Sequence, residues 1–391
     1  MLQVSEATWR FVREHAGDDV RRLALQADRF PDVDMPFALD QIAGREMARR
    51  KLPLWASVDG IVYPPHLSME QCSSEVAARY KASLVSGGTF VDLTGGMGVD
   101  CSFMAQSFES AVYVEQLGHL CPIAEHNFHL LGRDNISVVN GDGVQYLHEM
   151  QPADVIYLDP ARRDTAGRRT YGIADCTPDL TTLADELLRK APIVLVKLSP
   201  MLDVSQTLHS LPSVSDVHIV SVGGECKELL VMMRRNHNGP TSIHCVNDGH
   251  VFTYDHDVAE PPAAVWDGEW HDGLRLYEPN PSVMKAGCFN HVAAHYGMQV
   301  VSHDSHLFIS GNKTESFTGR QFAIDAICTM NKTELRNTLG TLKHANVAVR
   351  NFPMRTADLS RRLRLKDGGD TYIFGTTTAT GKHILLLCHK E

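Results

Sequence analysis

Twelve residues constrain this chain most: Thr89 to Asp100, reading Thr-Phe-Val-Asp-Leu-Thr-Gly-Gly-Met-Gly-Val-Asp. The opening residues are apolar and β-branched, as a strand buried on both faces requires. The small residues Thr94, Gly95, Gly96 and Gly98 follow. Such a turn can open a helix and bring its backbone close to a ligand. Asp92 ends the strand. Ligands of open α/β sheets bind outside the carboxyl ends of the strands, so a carboxylate there faces whatever the turn cradles.

The pattern then repeats. Ala111 to Glu115, Ile136 to Asp142 and Ala153 to Pro160 are short apolar strands that close on Glu115, Asp142 and Asp159. Strands alternating with helices demand right-handed parallel crossovers, which place all four acids on one edge of one sheet. Leu180 to Arg189 reads as a helix and Ile193 to Lys197 as a further strand. Val217 to Val222 and Leu229 to Met233, joined through Gly223-Gly224-Glu225, predict an antiparallel hairpin that closes the sheet.

This stretch resembles the class I S-adenosylmethionine-dependent methyltransferases. The resemblance implies a Rossmann-like α/β methyltransferase sheet with a terminal antiparallel hairpin, and S-adenosylmethionine as cofactor. Asp92, Thr94, Gly95, Gly96 and Gly98 resemble the loop against the methionine part, Glu115 the acid on the ribose hydroxyls, and Asp142 the acid near the adenine amino group. Asp159-Pro160-Ala161-Arg162 is similar to the Asp-Pro-Pro-Tyr tetrapeptide of enzymes that methylate exocyclic amino nitrogens in nucleic acids, and implies a catalytic role for those four residues. Ala161 replaces a proline, which predicts a less rigid loop, and Arg162 replaces an aromatic ring. A guanidinium plane can stack on a base, and Tyr171 can do so instead. Arg163, Arg168 and Arg169 are candidates to hold phosphate around the entrance. A dinucleotide-binding oxidoreductase is the weaker reading, because the strict Gly-x-Gly-x-x-Gly spacing fails at Cys101 and such sheets end in a parallel strand.

The net charge of −10 is at first sight wrong for a nucleic-acid protein, but its distribution is uneven. Residues 331–366 hold nine Lys or Arg against Glu334 and Asp358, a net of +7 that leaves −17 elsewhere. Phosphate affinity follows the local patch. Arg361, Arg362 and Arg364 are therefore candidate RNA contacts; the alternative is a solvated helical face. The tail, with strand, helix, strand and strand over Asn346–Arg350, Leu359–Leu365, Tyr372–Thr376 and His383–Cys388, also resembles bacterial methyltransferase-related proteins with a THUMP-like C-terminal domain.

At 391 residues the chain has room for several domains. The expected division is a helical region at 1–66, a methyltransferase domain at 67–240, a small α/β extension at 241–320 with a ferredoxin-like fold as one reading, and a basic THUMP-like RNA-binding domain at 321–391. Ser68 and Gln71 predict a capping box for one helix over Met69 to Val85, Pro281 to Tyr296 reads as a single helix, and Lys332 to Leu342 as another. Nine cysteines without a Cys-x-x-Cys pair predict reduced thiols, and the histidines at 244, 250, 303 and 306 lack ligand spacing, so no metal is expected. No run of eighteen apolar residues and no apolar core at Met1 to Arg10 predict a cytoplasmic protein without a membrane span. No feature marks an obligate protein partner. The function expected is transfer of methyl from S-adenosylmethionine to RNA (a tRNA or rRNA), with a catalytically inactive RNA-binding protein of the same fold as the alternative.

Overall fold

The computed structural model describes residues 4–161 and 172–391. These form two compact units: the first comprises residues up to 217 with 227–239, the second 218–226 with 240–391. All nine cysteines are free thiols. Among the described residues no helix is long and apolar enough to cross a membrane.

The strands β1 (Gly87–Asp92), β2 (Phe108–Glu115), β3 (Ile136–Asn140), β4 (Val155–Leu158) and β5 (Ile193–Leu198) are parallel, in the order β3-β2-β1-β4-β5. β6 (Val214–Val222) and β7 (Glu225–Arg234) follow, and β7 inserts antiparallel beside β5. This antiparallel insertion is the topology expected of a methyltransferase and not of a dinucleotide dehydrogenase. The centre of the sheet is wholly apolar: Val155, Ile156, Leu158, Val194, Leu195 and Val196 are fully buried. Burial on both faces explains why these strands read as continuous hydrophobic runs.

The amino-terminal helices belong to the first unit and pack close to the glycine turn. Ala48, Leu52, Trp55, Ile61, Tyr63 and Met69 share one core cluster with Met97, Val99 and Phe103. Segment 61–64 is clamped on two sides. Gln41 exchanges hydrogen bonds of 2.9 and 2.8 Å with the Tyr63 backbone, and Asn127 exchanges two of 2.8 Å with Val62. Helix Met69 to Val85 is in fact two pieces, His66–Gln71 and Glu75–Ser83. Ser68 lies inside the first piece, and Ser74 caps the second by accepting from Ala77 N. The capping box at Ser68 and Gln71 is thus not formed; a second serine in β conformation won the competition.

In the second unit β8 (Ser242–Asn247) and β9 (His250–Asp255) form a hairpin. A seven-stranded sheet follows, built from β10 (Arg275–Pro279), β11 (Gln299–Val300), β12 (Phe308–Ser310), β13 (Gly319–Cys328), β14 (Asn346–Arg350), β15 (Thr371–Thr377) and β16 (His383–Lys390), in the order β11-β12-β10-β13-β16-β15-β14. Helix Thr356–Leu363 carries the crossover between the parallel neighbours β14 and β15. One expectation fails here and one strand was missed. Pro281–Ala286 and Phe289–Tyr296 are separate helices because Gly287 takes a left-handed φ of 68°. The ten-residue strand β13 was not foreseen at all, although Phe322, Ala323 and Ile324 are an apolar run at its centre.

Candidate active site

The turn after β1 lines a cavity of about 490 Å³ that also takes in Glu115, Asp142, Asp159 and Lys197, a size typical of ligand pockets. Its glycines have distinct reasons. A Cβ on Gly95 would sit 2.2 Å from the Tyr113 ring, so only hydrogen fits. Gly96 has a φ of +55° and a Cβ there would meet nothing closer than 3.9 Å, so the loop opens toward the cavity at that point. Its amide donates to Glu115 Oε2 at 2.7 Å, while Glu115 Oε1 accepts from Leu117 N at 2.6 Å. Each Glu115 oxygen keeps a lone pair for a ligand hydroxyl. Asp142 caps the next helix through Oδ1, which accepts from Val144 N and Gln145 N at 2.9 Å.

Asp92 is 1% exposed and accepts from Thr94 N at 2.9 Å. Burial pushes its carboxyl up to about 8 against that hydrogen bond, helped by the charges of Asp100, Asp159 and Glu115. Thr94 also couples two loops, because Asp159 N donates to its Oγ1 at 2.6 Å. The glycine loop and the Asp159 loop are therefore tied by one hydroxyl.

Asp159 and Ala161 line the cavity together with Thr177 and Pro178. Ala161 N donates to Thr177 O at 2.9 Å, and Thr177 N to Ala161 O at 2.8 Å. Ala161, unlike the proline it replaces, has an N–H to donate, and this two-way bridge uses it. Arg162, Arg163, Arg168, Arg169 and Tyr171 lie outside the described residues.

A buried charge network, missed in the sequence, stands behind Asp159. Lys197 Nζ lies 2.5 Å from Asp159 Oδ2. Fully buried Lys81 reaches both oxygens of Glu228, at 2.8 and 2.9 Å, and Ser73 Oγ at 3.0 Å. Asp100 Oδ2 accepts from Ser73 Oγ and Tyr157 OH, each at 2.8 Å. Its Oδ1 is 3.2 Å from Lys81 Nζ but off the line of a hydrogen bond, and has no other partner among the described residues. Burial alone would raise Asp100, yet the Lys81 and Lys197 ammoniums and the two hydroxyl donors hold it below the usual carboxylate range. The signal was present in Ile-Val-Leu-Val-Lys-Leu at 193–198, a cation at the carboxyl end of a buried strand. Counting strand-end acids alone passed over it.

Gln71, Cys72 and Ser73 complete one wall, whereas Tyr63 belongs to the core behind it. The whole set fits S-adenosylmethionine. An open glycine cradle, an acid whose oxygens keep spare lone pairs and buried carboxylates suit a cationic ligand with hydroxyls.

Of the +7 segment, Arg350 is engaged within its own unit: with Arg320 it clamps buried Glu278, its Nη2 at 2.7 Å from Oε1. Arg361 reaches Asp358 at 3.1 Å. Arg362 and Arg364 are exposed, as are Lys332, Arg336, Lys343, Arg355 and Lys366.

Comparison with known families places three matches along the chain. Residues 63–166 match the protein-L-isoaspartate(D-aspartate) O-methyltransferase model, 276–317 a ferredoxin-like domain and 319–390 a THUMP domain-like model. A crystal structure from Porphyromonas gingivalis W83, of a protein assigned as a methyltransferase, aligns over 100% of both chains at 33% identity with a TM-score of 0.87. An rRNA methylase from Streptococcus thermophilus aligns over 41% of this chain and 93% of its own, at 13% identity and a TM-score of 0.31. TrmK from M. capricolum, solved with S-adenosyl-homocysteine, covers 41% and 68% at 11% identity and a TM-score of 0.30. No curated protein matches the chain.

Proposed function

Because the chain belongs to the class I S-adenosylmethionine-dependent methyltransferases with a THUMP-like C-terminal domain, we propose that it methylates RNA, at an exocyclic nitrogen of a base. The observation that carries the reading is Asp159: it ends β4 in the tetrapeptide Asp-Pro-Ala-Arg, lines the cofactor cavity, and has one oxygen, Oδ1, that accepts no hydrogen bond from the described residues.

S-adenosylmethionine brings a methyl group already activated on a sulfonium, so the protein's work is alignment and removal of one proton. Gly95, Gly96 and Gly98, with Asp92, Glu115 and Asp142, would hold the cofactor. An exocyclic amino nitrogen is a poor nucleophile because its lone pair is delocalised into the ring. Asp159 Oδ1 accepts one N–H and turns that lone pair toward the methyl. The Pro160 or Ala161 carbonyl is the second acceptor; the Ala161 oxygen accepts from Thr177 N and keeps a second lone pair. Arg162, Arg163, Arg168 and Arg169 follow directly in sequence and would meet phosphate at the entrance. Arg361, Arg362 and Arg364 on the THUMP-like domain supply a second basic surface, and its likeness to THUMP domains supports RNA as the polymer.

The test is partition of label. Purified protein incubated with methyl-labelled cofactor and a mixture of total RNA and total protein should transfer label to RNA, and Asp159→Ala should lower that transfer by about two to four orders of magnitude. Label in protein alone, or an Asp159→Ala variant as active as wild type, rejects the reading.

A further inference from the structure

Lys197 has no part in the roles above, yet its position is built with care. Its neighbour Val196 pairs with Leu158, which sets Lys197 beside Asp159 on the same sheet edge. The Lys197 side chain is 14% exposed and its Nζ contacts Asp159 Oδ2 at 2.5 Å. Burial would strip its proton, but the carboxylates of Asp159, Asp100 and Glu228 together hold the ammonium well above its usual range. Lys81 meanwhile pairs with Glu228 and Asp100, so among the described residues Lys197 is the cation left for Asp159.

Two consequences follow from that pair. A carboxylate gripped through Oδ2 presents Oδ1 in a fixed direction. The pair is also close to neutral, which matters because the cofactor is cationic before transfer and its product is not. A bare carboxylate facing this cavity would favour the charged form. Stabilising the reactant more than the transition state slows a reaction.

We propose that Lys197 is a positioning residue, which holds Asp159 through Oδ2 so that Oδ1 alone meets the acceptor's N–H, and which withholds the carboxylate's charge from the cationic sulfur of the cofactor. The proposal rests on Asp159 as the group facing the acceptor and not on what the acceptor is.

Calorimetric titration of the full chain with S-adenosylmethionine and with S-adenosylhomocysteine, in the absence of RNA, tests it. The quantity read is the preference for the charged ligand over the neutral one. Lys197→Met should raise that preference by about tenfold, because Asp159 is then an uncompensated charge. Asp159→Asn should lower it by a similar factor, since Lys197 is then unopposed. The double variant should return to the wild-type preference and Lys197→Arg should stay within about twofold of it. A residue that merely supports the fold would weaken both ligands together and leave the preference unchanged. An unchanged preference in Lys197→Met and Asp159→Asn overturns the proposal. If Lys197→Met does not fold, Asp159→Asn and the double variant decide alone. Absence of RNA methylation would not alter these ratios, so the two readings fail separately.

Discussion

Asp92 shows how one buried side chain links fold to ligand. Its carboxyl is pushed up to about 8 mainly by burial, from an ordinary value of 3.8. The folded protein therefore binds a proton there that the unfolded chain releases, and this group favours the fold below about pH 4 and ceases to as pH rises through 8. A cationic ligand reverses the preference, since it stabilises the carboxylate. Binding of S-adenosylmethionine should expel the proton, and affinity should rise by up to about tenfold per pH unit between roughly pH 6 and 8. Asp92→Asn should flatten that profile. Calorimetry across this range in buffers of different protonation enthalpy measures both affinity and proton release; a wild-type affinity independent of pH would contradict the assignment.

At the scale of elements, helix Glu75–Ser83 is fastened to β7 by a charge in the core. Lys81 is fully buried and satisfied by Glu228, Ser73 and Asp100. Removing one partner of a buried ion pair leaves the other uncompensated, which costs about 3–5 kcal/mol. Lys81→Met should lower unfolding free energy by that amount in urea titration, and a loss under about 1 kcal/mol would show that the pair contributes no more than a surface bridge. This network also marks where sequence reading stopped. The parallel strands were legible because Val155 to Leu158 and Ile193 to Leu198 are buried on both faces and read as apolar runs. The closing hairpin was legible from Gly223 and Gly224, both at positive φ. Which serine caps a helix was not, because Ser68 with Gln71 carries the stronger local signal, yet Ser68 lies inside a helix and Ser74 caps the next one. The pairing of Lys81 with Glu228 joins residues 147 positions apart, and nothing local announces it. The strand-end acids stood out because a period of alternating strands and helices aligns them on one edge, and Lys197 obeys the same rule with the opposite sign.

For the whole molecule, the proposed RNA substrate assigns a polyanion to the +7 segment of an otherwise acidic chain. Each phosphate neutralised on a single strand adds roughly −0.7 to the slope of log affinity against log salt. Replacing Arg361, Arg362 and Arg364 together by Ala should weaken RNA binding and flatten that slope by up to about two units, with affinity for S-adenosylhomocysteine unchanged. Unaltered affinity and slope would transfer the role to Arg162, Arg163, Arg168 and Arg169. The central claim, methyl transfer to an exocyclic base nitrogen of RNA, is reached most directly by chemistry of the product. RNA modified with isotopically labelled cofactor, digested to nucleosides and resolved by mass spectrometry, should carry the label on an amino nitrogen of a base. Label on a ring carbon or on the ribose 2′-hydroxyl would contradict the role given to Asp159.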